Sequence, residues 1–419
     1  WILRDNYDLD KNNAGANGDD MDNYLMSAAE VQVDADLTDN VSTAVRLVNQ
    51  RDWDDRAASE SSNQFDVLVD LASVTLKEFF YSPLAVTIGR QDLWYGKGFI
   101  VGAKQRDAGG TITAHEYTAI NSFDAIKATL DFDPWKIDGV YSVIESNLVA
   151  SADDIWLGGL NVGYKFDSYN AEAEAYLFVK KDRSRVAWVT ATTTAASDKN
   201  LINTVGIRGS MEPIANLTLA GEVAKQYGDY STFATETRTR DATALDLSGD
   251  YKFKDMKWSP KVGLEYVYYS GEENDNPGGA GGNDYEGWDL MYRGKFDTAI
   301  REFQNLYYFT ADRGGNTAST ATDSDSGATN QHQIVLIGQL KPINNLTLDG
   351  RFAWFRFVEL PTANRSKSLG TELDLSLTYS YTEDVSFGLL AAWFFPGKYW
   401  LSGQDDRAAD LVGSVKVAF

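Results

Sequence analysis

The sequence predicts an all-β chain: a transmembrane antiparallel β-barrel of about 18 strands, with short periplasmic turns and long extracellular loops. Three features indicate this fold. Apolar and polar residues alternate along most of the chain, short turns alternate with long polar loops, and the final alternating segment ends on Phe419. Because the pattern continues from one end to the other, we expect residues 1–419 to form a single barrel domain.

The alternation has the period of a β-strand. Between residues 29 and 37 every odd position is apolar, and the even positions hold Glu30, Gln32, Asp34 and Asp36. A helix would spread these residues around its circumference, whereas a strand places them on opposite faces. The same pattern predicts strands at residues 1–7, 21–37, 41–53, 64–77, 84–91, 121–132, 136–146, 156–166, 171–182, 200–212, 217–227, 241–253, 260–271, 331–340, 345–357, 369–380, 384–395 and 407–419.

The connections between these strands alternate in length. Short turns such as Asp39-Asn40 and Asn344-Asn345 follow or precede loops rich in Ser, Thr, Asp, Asn and Gly. Outer-membrane barrels show the same alternation of periplasmic turns and external loops. We expect the longest loop, residues 272–330, to be an insertion that constricts or covers the pore. The long loops are predicted at residues 54–64, 92–120, 183–199, 228–240, 272–330 and 358–368.

Composition excludes several classes of protein. The chain has no cysteine, so disulfides and thiolate metal sites are absent, and its net charge of -23 argues against nucleic acid as a partner. No apolar run is long enough for a transmembrane helix. No signal peptide is recognisable, and we expect Trp1 to be the start of a mature or trimmed chain.

A soluble β-sandwich or solenoid is the alternative to a membrane barrel, because its strands alternate as well. Such a fold would bury its apolar face in a dense core, yet many apolar-face residues here are Ala, Gly, Val and Leu. Aromatic residues also cluster near predicted strand ends, where a membrane-interface girdle would lie. Ordinary core or loop aromatics are the alternative explanation. The aromatic residues concerned include Trp53, Phe80, Tyr81, Trp135, Tyr169 and Trp258.

The C-terminal strand carries a further signal. Val415, Val417 and Phe419 alternate with polar or small residues, and the chain ends on the aromatic residue. A terminal Phe on such a strand resembles the signal that the outer-membrane barrel assembly machinery recognises. We therefore expect this machinery to be a partner during biogenesis.

Several short motifs resemble the alginate-export family of outer-membrane porins. They appear in the family's order and span most of the chain. The resemblance implies a monomeric barrel of about 18 strands in the outer membrane of a Gram-negative bacterium, in contact with membrane lipid and lipopolysaccharide. The motifs are Gly89-Arg90-Gln91, Tyr95-Gly96, Phe123-Asp124, Gly287 to Tyr292, Gly370-Thr371-Glu372-Leu373-Asp374 and Phe395-Pro396-Gly397.

If the apolar faces contact lipid, the charged residues of the opposite faces line the lumen. Fixed charges at that position select permeants by charge, although a charge in a wide polar lumen is usually solvated or paired with its neighbour. Arg90 is the strongest prediction because it lies in a family motif, but a structural salt bridge explains it as well. The predicted pore-lining residues are Arg46, Asp70, Arg90, Lys127, Asp131, Glu172, Arg208, Glu222, Glu265, Arg351 and Glu372.

These predictions favour a passive channel for small hydrophilic solutes or a (poly)saccharide, with no enzymatic activity, no cofactor and no metal. The predicted lumen is mixed in charge and leans acidic, whereas an alginate exporter is expected to have a basic conduit. An alginate-like exopolysaccharide exporter is therefore one alternative. A secreted or membrane-embedded β-rich protein that binds or hydrolyses polysaccharide is another. His115 and His332 lie in no catalytic or metal-binding motif.

Overall fold

The structure is a computed structural model. It describes residues 1–5, 22–53, 67–104, 112, 114–145, 154–182, 200–233, 236–272, 284–304, 329–360, 365–400 and 405–419. The strands are β1 (Ile2–Asp5), β2 (Asp22–Tyr24), β3 (Met26–Thr38), β4 (Val41–Asp52), β5 (Leu68–Leu76), β6 (Leu84–Gln91), β7 (Phe123–Phe132), β8 (Trp135–Glu145), β9 (Ile155–Lys165) and β10 (Glu172–Asp182). They continue with β11 (Leu201–Ile214), β12 (Leu217–Phe233), β13 (Glu236–Lys252), β14 (Lys261–Tyr269), β15 (Gln331–Ile343), β16 (Leu346–Phe357), β17 (Ser368–Ser380), β18 (Val385–Pro396) and β19 (Ala408–Val417).

The strands form one antiparallel sheet that closes on itself. From β3 to β19, each strand pairs with the next along the chain. The ring is closed by β1, where Ile2 lies opposite both Tyr24 of β2 and Val412 of β19. Only Leu25 separates β2 from β3. Counting that pair as one crossing, the 19 strands of the described residues make the 18 crossings that the sequence predicts. The predicted all-β barrel is confirmed.

One predicted loop is wrong. Residues 228–240 were expected to be irregular, but β12 and β13 extend through this region and Tyr230 pairs with Arg238. The alternation continues there in a polar form, since Thr237 and Thr239 are β-branched residues that fit a strand. Polar composition alone therefore gave the wrong boundary. The predicted loops at 54–64 and 183–199 lie outside the described residues.

The burial pattern of the barrel is the reverse of that of a soluble protein. Val31 is 64% exposed and Leu247 is 46% exposed, whereas Asp246, next to Leu247 in β13, is 1% exposed. Charged groups are strongly disfavoured in hydrocarbon, and apolar side chains are not. The exposed apolar face is therefore the lipid-facing face, and the polar face lines the interior. No helix among the described residues is long and apolar enough to span a membrane.

Aromatic side chains surround the end of the barrel that carries the short turns. Phe80, Tyr81, Tyr169, Trp258 and Tyr381 lie in or beside four of these turns and are largely exposed. Trp and Tyr rings prefer the boundary between lipid and water because they are apolar with one polar edge. This arrangement agrees with the predicted girdle and marks the membrane boundary at the short-turn end.

Two connections at the opposite end fold into the interior. The 92–104 segment follows β6, and the 284–304 segment lies between β14 and β15 and ends in a π-helix, Ala299–Gln304. A 3-10 helix, His115–Tyr117, lies further along the first connection. Phe99 and Val101 of one segment and Trp288 and Ile300 of the other are almost fully buried. These segments bring loop residues against the inner wall.

Candidate functional site in the barrel interior

The two inward segments bind each other through their backbones. Tyr292 N donates to Ile100 O at 3.0 Å, Gly102 N donates to Tyr292 O at 2.8 Å, and Gly294 N donates to Gly98 O at 2.8 Å. The approach is close: a Cβ at Gly98, where φ is +76°, would lie 2.6 Å from the Trp94 ring. Only glycine adopts this backbone without strain and leaves room for the ring. The two segments therefore form one body inside the barrel.

Aromatic packing attaches this body to the wall. The ring of Phe99 stacks on Tyr269 of β14 with centroids 5.4 Å apart, and Tyr292 meets Phe123 of β7 edge to face at 5.6 Å. Lys97 Nζ donates to Ser248 Oγ of β13 at 2.6 Å. Aromatic pairs of this geometry add to the free energy gained by burial. The body is thus fixed to strands on two sides of the lumen.

Lys295 is the centre of a buried ionic cluster. Its ammonium lies 2.9 Å from Asp246, 2.7 Å from Glu265 and 2.8 Å from Asp297. Burial lowers the pKa of Lys295, but Asp297, Asp246 and Glu265 outweigh that effect, so its pKa lies above the ordinary value and the group stays charged. Lys295 Nζ donates hydrogen bonds to Glu265 and Asp297, and its contact with Asp246 is an ion pair. Glu265, predicted to line the pore, is therefore an anchor for the 284–304 segment.

A second ionic link lies within the 284–304 segment. The Arg293 guanidinium pairs with Glu302, and both side chains are almost fully buried. Glu302 also accepts the backbone N–H groups of Asp297 at 2.6 Å and Thr298 at 3.2 Å. These contacts fold the end of the segment back on itself. Arg351, another predicted lining residue, donates to the Asp297 carbonyl at 2.7 Å and remains partly exposed.

Two carboxylates of β17 hold the π-helix. Glu372 accepts the N–H groups of Ile300 at 2.6 Å and Arg301 at 2.9 Å, and Asp374 accepts that of Ala299 at 3.0 Å. The first N–H groups of a helical turn have no partner within the turn, so carboxylates are well suited to satisfy them. Glu372 was predicted to line the pore. It points inward, but the 284–304 segment buries it completely.

The part of the inner wall against which the 92–104 segment lies carries a second group of predicted residues. Arg208 of β11 pairs with Glu172 at 2.7 Å and Glu174 at 2.5 Å, both on β10. Tyr176 donates its hydroxyl to buried Glu222 at 2.7 Å. Arg208 compensates part of the negative charge of these inward-facing carboxylates. Neighbouring strands are thereby linked across the sheet.

Four further predicted residues also point inward. Arg46 pairs with buried Asp70, whose other oxygen accepts the N–H groups of Asn121 at 3.0 Å and Ser122 at 3.3 Å. Asp70 therefore positions the chain where it enters β7. Lys127 and Asp131 have no ion pair within the part of the chain that the structure describes.

Arg90 is placed differently from the prediction. Alternation along β6 puts it on the same side as Ile88, and its partner Asp124 lies on the same side of β7 as Ile126, which is 50% exposed. Arg90 and Asp124 form a bidentate pair, with Nε and Nη2 each close to one oxygen at 2.9 and 2.8 Å. Arg90 thus lies on the outer face near the long-loop end, and does not point into the lumen. The salt-bridge interpretation agrees with this geometry.

The neighbours of Arg90 in the motif shape the strand. Gly89 has φ +117°, and a Cβ there would lie 2.2 Å from the Ala72 carbonyl oxygen. Gln91 is buried and donates its amide to the Ala125 carbonyl at 3.0 Å. The motif therefore fixes the end of β6 just before the chain turns inward.

Sequence reasoning missed the loop side of the site. Arg293, Lys295, Asp297 and Glu302 were not singled out, although the run Gly287 to Tyr292 was noted as an aromatic motif. That aromatic run in a polar loop was the available signal for burial. Among the described residues, no cluster of three or more His, Asp or Glu side chains is arranged to hold a metal ion.

Comparisons with known proteins agree with this architecture. A family model described as alginate export matches residues 4–414. Solved structures of similar fold include OccK5 (OpdH) of Pseudomonas aeruginosa, with TM-score 0.52, 14% identity and coverage of 100% of this chain and 97% of that one. OccD3 (OpdP) of the same organism has TM-score 0.56, 11% identity and coverage of 95% and 88%. OccAB4 of Acinetobacter baumannii has TM-score 0.56, 13% identity and coverage of 99% and 95%.

The search of curated proteins finds no match. The structural likenesses, at identities this low, show the fold, and the family match covers nearly the whole chain. Together with the apolar outer face, they place the barrel in the lipid of the bacterial outer membrane. The chain belongs to the alginate export family and has a porin-like channel fold.

Proposed function

We propose that the protein is a passive channel that lets small hydrophilic solutes cross the outer membrane. The observation that carries this proposal is the charged interior around the two inward segments. The 284–304 segment forms ion pairs with β10, β13 and β14 and donates backbone N–H groups to carboxylates of β17, which narrows the lumen. A cavity of about 200 Å³ lies beside the 92–104 segment, against the wall. Polar groups in a narrow aqueous path replace part of the hydration of a permeant.

The charge of the interior favours a weak preference for cations. Arg208 faces the two carboxylates of Glu172 and Glu174, and Lys295 faces three carboxylates, so both clusters keep negative charge. Asp131 and Lys127 have no ion pair in the described ranges, and their opposite charges cancel. Most of the excess charge is partly buried, so we expect mild and not strict selectivity.

Planar-bilayer recording tests the proposal. Purified, refolded protein is expected to give discrete conductance steps, and a salt gradient is expected to give a reversal potential of the sign for cation preference. Heat-unfolded protein at the same concentration is the control. A silent bilayer from folded protein would exclude an open channel, and marked anion preference would exclude the proposed charge of the lumen.

Export of an acidic exopolysaccharide is the second candidate, because the family match carries that description. A chain with a carboxylate on each sugar needs basic groups that are free along its path. The paired state of Arg208, Lys180 and Lys295 disfavours it. Block of the current by short polyuronate oligomers at low concentration, together with anion preference, would favour the exporter.

The proposal includes a monomer surrounded by outer-membrane lipid and lipopolysaccharide, and folded by the barrel assembly machinery. One chain completes the sheet by itself, since β1 pairs with β19, so a monomer can enclose the channel without a partner. Mass measurement in detergent tests this state. A stable dimer or trimer would overturn it.

A further inference from the structure

A small cavity lies between the 92–104 segment and the inner wall near the short turns. Its volume is about 200 Å³, which is room for about six water molecules. Trp94 and Tyr95 cover it from the segment, and Asp138 and Asn161 of β8 and β9 border it from the wall. We call this cavity the inner pocket. The 284–304 segment does not border it.

The lining of the inner pocket has an excess of negative charge. Glu172 and Glu174 border it but are held by Arg208 at 2.7 and 2.5 Å. Of the remaining charged groups, three are carboxylates and two are ammonium groups. Arg208 balances only one of the two glutamates, so the lining as a whole keeps two uncompensated negative charges. The carboxylates are those of Asp131, Asp133 and Asp138, and the ammonium groups are those of Lys136 and Lys165.

Two buried polar atoms at the pocket have no hydrogen-bond partner among the described residues: Asn161 Oδ1 and Tyr95 Oη. Asn161 is 6% exposed and Tyr95 is 9% exposed. The amide orientation of Asn161 is fixed, because its nitrogen donates to Glu174 Oε2 at 3.3 Å and a carboxylate can only accept. Asn161 Oδ1 is thus left as an acceptor that requires a donor. Buried polar groups normally have partners, so these two atoms are available to hydrogen-bond a molecule in the pocket.

We propose that the inner pocket binds a small hydrophilic solute that carries an ammonium group. The ammonium has three N–H donors for Asn161 Oδ1, Tyr95 Oη and the carboxylate of Asp138. Trp94 borders the pocket and is half exposed, so its ring is available for a cation–π contact with the ammonium. The inference rests on the proposed channel function and names the class of solute that the channel retains. A carboxylate solute would meet the excess negative charge.

Three sugars of matched size test this inference: glucosamine, glucose and glucuronate. In planar bilayers, glucosamine is expected to interrupt the current at concentrations at least ten-fold lower than glucose, and glucuronate is expected to have the weakest effect. Asp138→Asn is expected to raise the half-blocking concentration of glucosamine about ten-fold. Asp349→Asn is the control, since Asp349 is on β16, outside the pocket, and accepts from Gln339 at 2.7 Å. It should leave the block unchanged.

Tyr95→Phe is a second test of the pocket, in case Asp138→Asn fails to fold. It removes a hydroxyl that has no protein partner in the described residues, so the barrel should form normally. Glucosamine block is expected to weaken with Tyr95→Phe, and heat-modifiable mobility on gels checks the fold. Equal block by glucose and glucosamine would overturn the ammonium claim. A block unchanged by both Asp138→Asn and Tyr95→Phe would overturn the pocket.

The outcomes separate the two proposals. Conductance without sugar-dependent block supports the channel and overturns the inner pocket. If the folded protein gives no conductance, the channel fails, and glucosamine binding is then measured directly by Trp fluorescence in detergent. Binding that Asp138→Asn weakens would still support the pocket. Absence of binding in that assay would overturn it.

Discussion

Two clusters of acidic residues on the inner wall lie beneath inward segments: the β17 cluster, which is Glu372 and Asp374, and the carboxylates of the inner pocket. The inward segments cover these two clusters differently. Glu372 and Asp374 on β17 accept three backbone N–H groups of the π-helix at 2.6, 2.9 and 3.0 Å. The inner pocket instead meets the side chains of Trp94 and Tyr95, and Asn161 Oδ1 remains without a partner in the described residues. Acidic residues on the inner face of the sheet are therefore hydrogen-bonded by a loop segment in the β17 cluster, whereas those of the inner pocket border a cavity.

The difference arises from what each loop segment offers. The π-helix presents N–H groups, which carboxylates satisfy, and Lys295 adds an ammonium for Asp246 and Glu265. The 92–104 segment presents aromatic rings, which cover a space without neutralising it. Strand parity decides only that a side chain points inward. The facing loop segment decides whether that side chain anchors structure or stays available to a solute.

The largest effect is expected from Lys295→Met. Asp246, Glu265 and Asp297 would then share no cation, and removing one partner of a buried ionic cluster costs about 3–5 kcal/mol. The 284–304 segment is expected to detach, with higher single-channel conductance and faster chymotrypsin cleavage within the segment. Lys367→Met is the matched control, because its pair with Glu359 at 3.1 Å is partly exposed and contributes roughly 0–1 kcal/mol. If both variants changed conductance and cleavage equally, the buried ion pairs would not be what holds the 284–304 segment to the wall.

A smaller effect is expected from Glu372→Gln. The side chain keeps its volume, but each oxygen of Glu372 accepts one backbone N–H, and the amide nitrogen that replaces one oxygen cannot accept. Leaving a buried N–H without an acceptor costs about 1–3 kcal/mol. Hydrogen exchange is expected to quicken at the amides of Ile300 and Arg301. The matching change in the inner pocket, Asp138→Asn, should leave the exchange rates of these two amides unchanged. Unchanged exchange in Glu372→Gln would show that the carboxylate does not hold the π-helix.

The sequence predicted the barrel closely because each strand carries its own signal. For β6 the predicted and observed bounds, 84–91, are the same. The contacts of the interior could not be predicted in the same way. Glu372, for example, accepts the backbone N–H groups of Ile300 and Arg301, which lie far away in the chain. Such contacts depend on where a loop folds after the ring has closed. Alternation carries no information about them.

The smallest effect is expected from Arg90→Gln, which tests the division between inner and outer faces. Arg90 and Asp124 form a partly exposed pair on the outer face, and such pairs contribute roughly 0–1 kcal/mol. Conductance and ion selectivity should match those of the unmodified channel. Arg46→Gln is the contrast: Arg46 is directed inward and pairs with buried Asp70, so its loss should shift the reversal potential toward stronger cation preference. If Arg90→Gln shifted the reversal potential as far as Arg46→Gln, Arg90 would have to face the lumen. The parity that separates the lipid face from the channel face would then fail at β6.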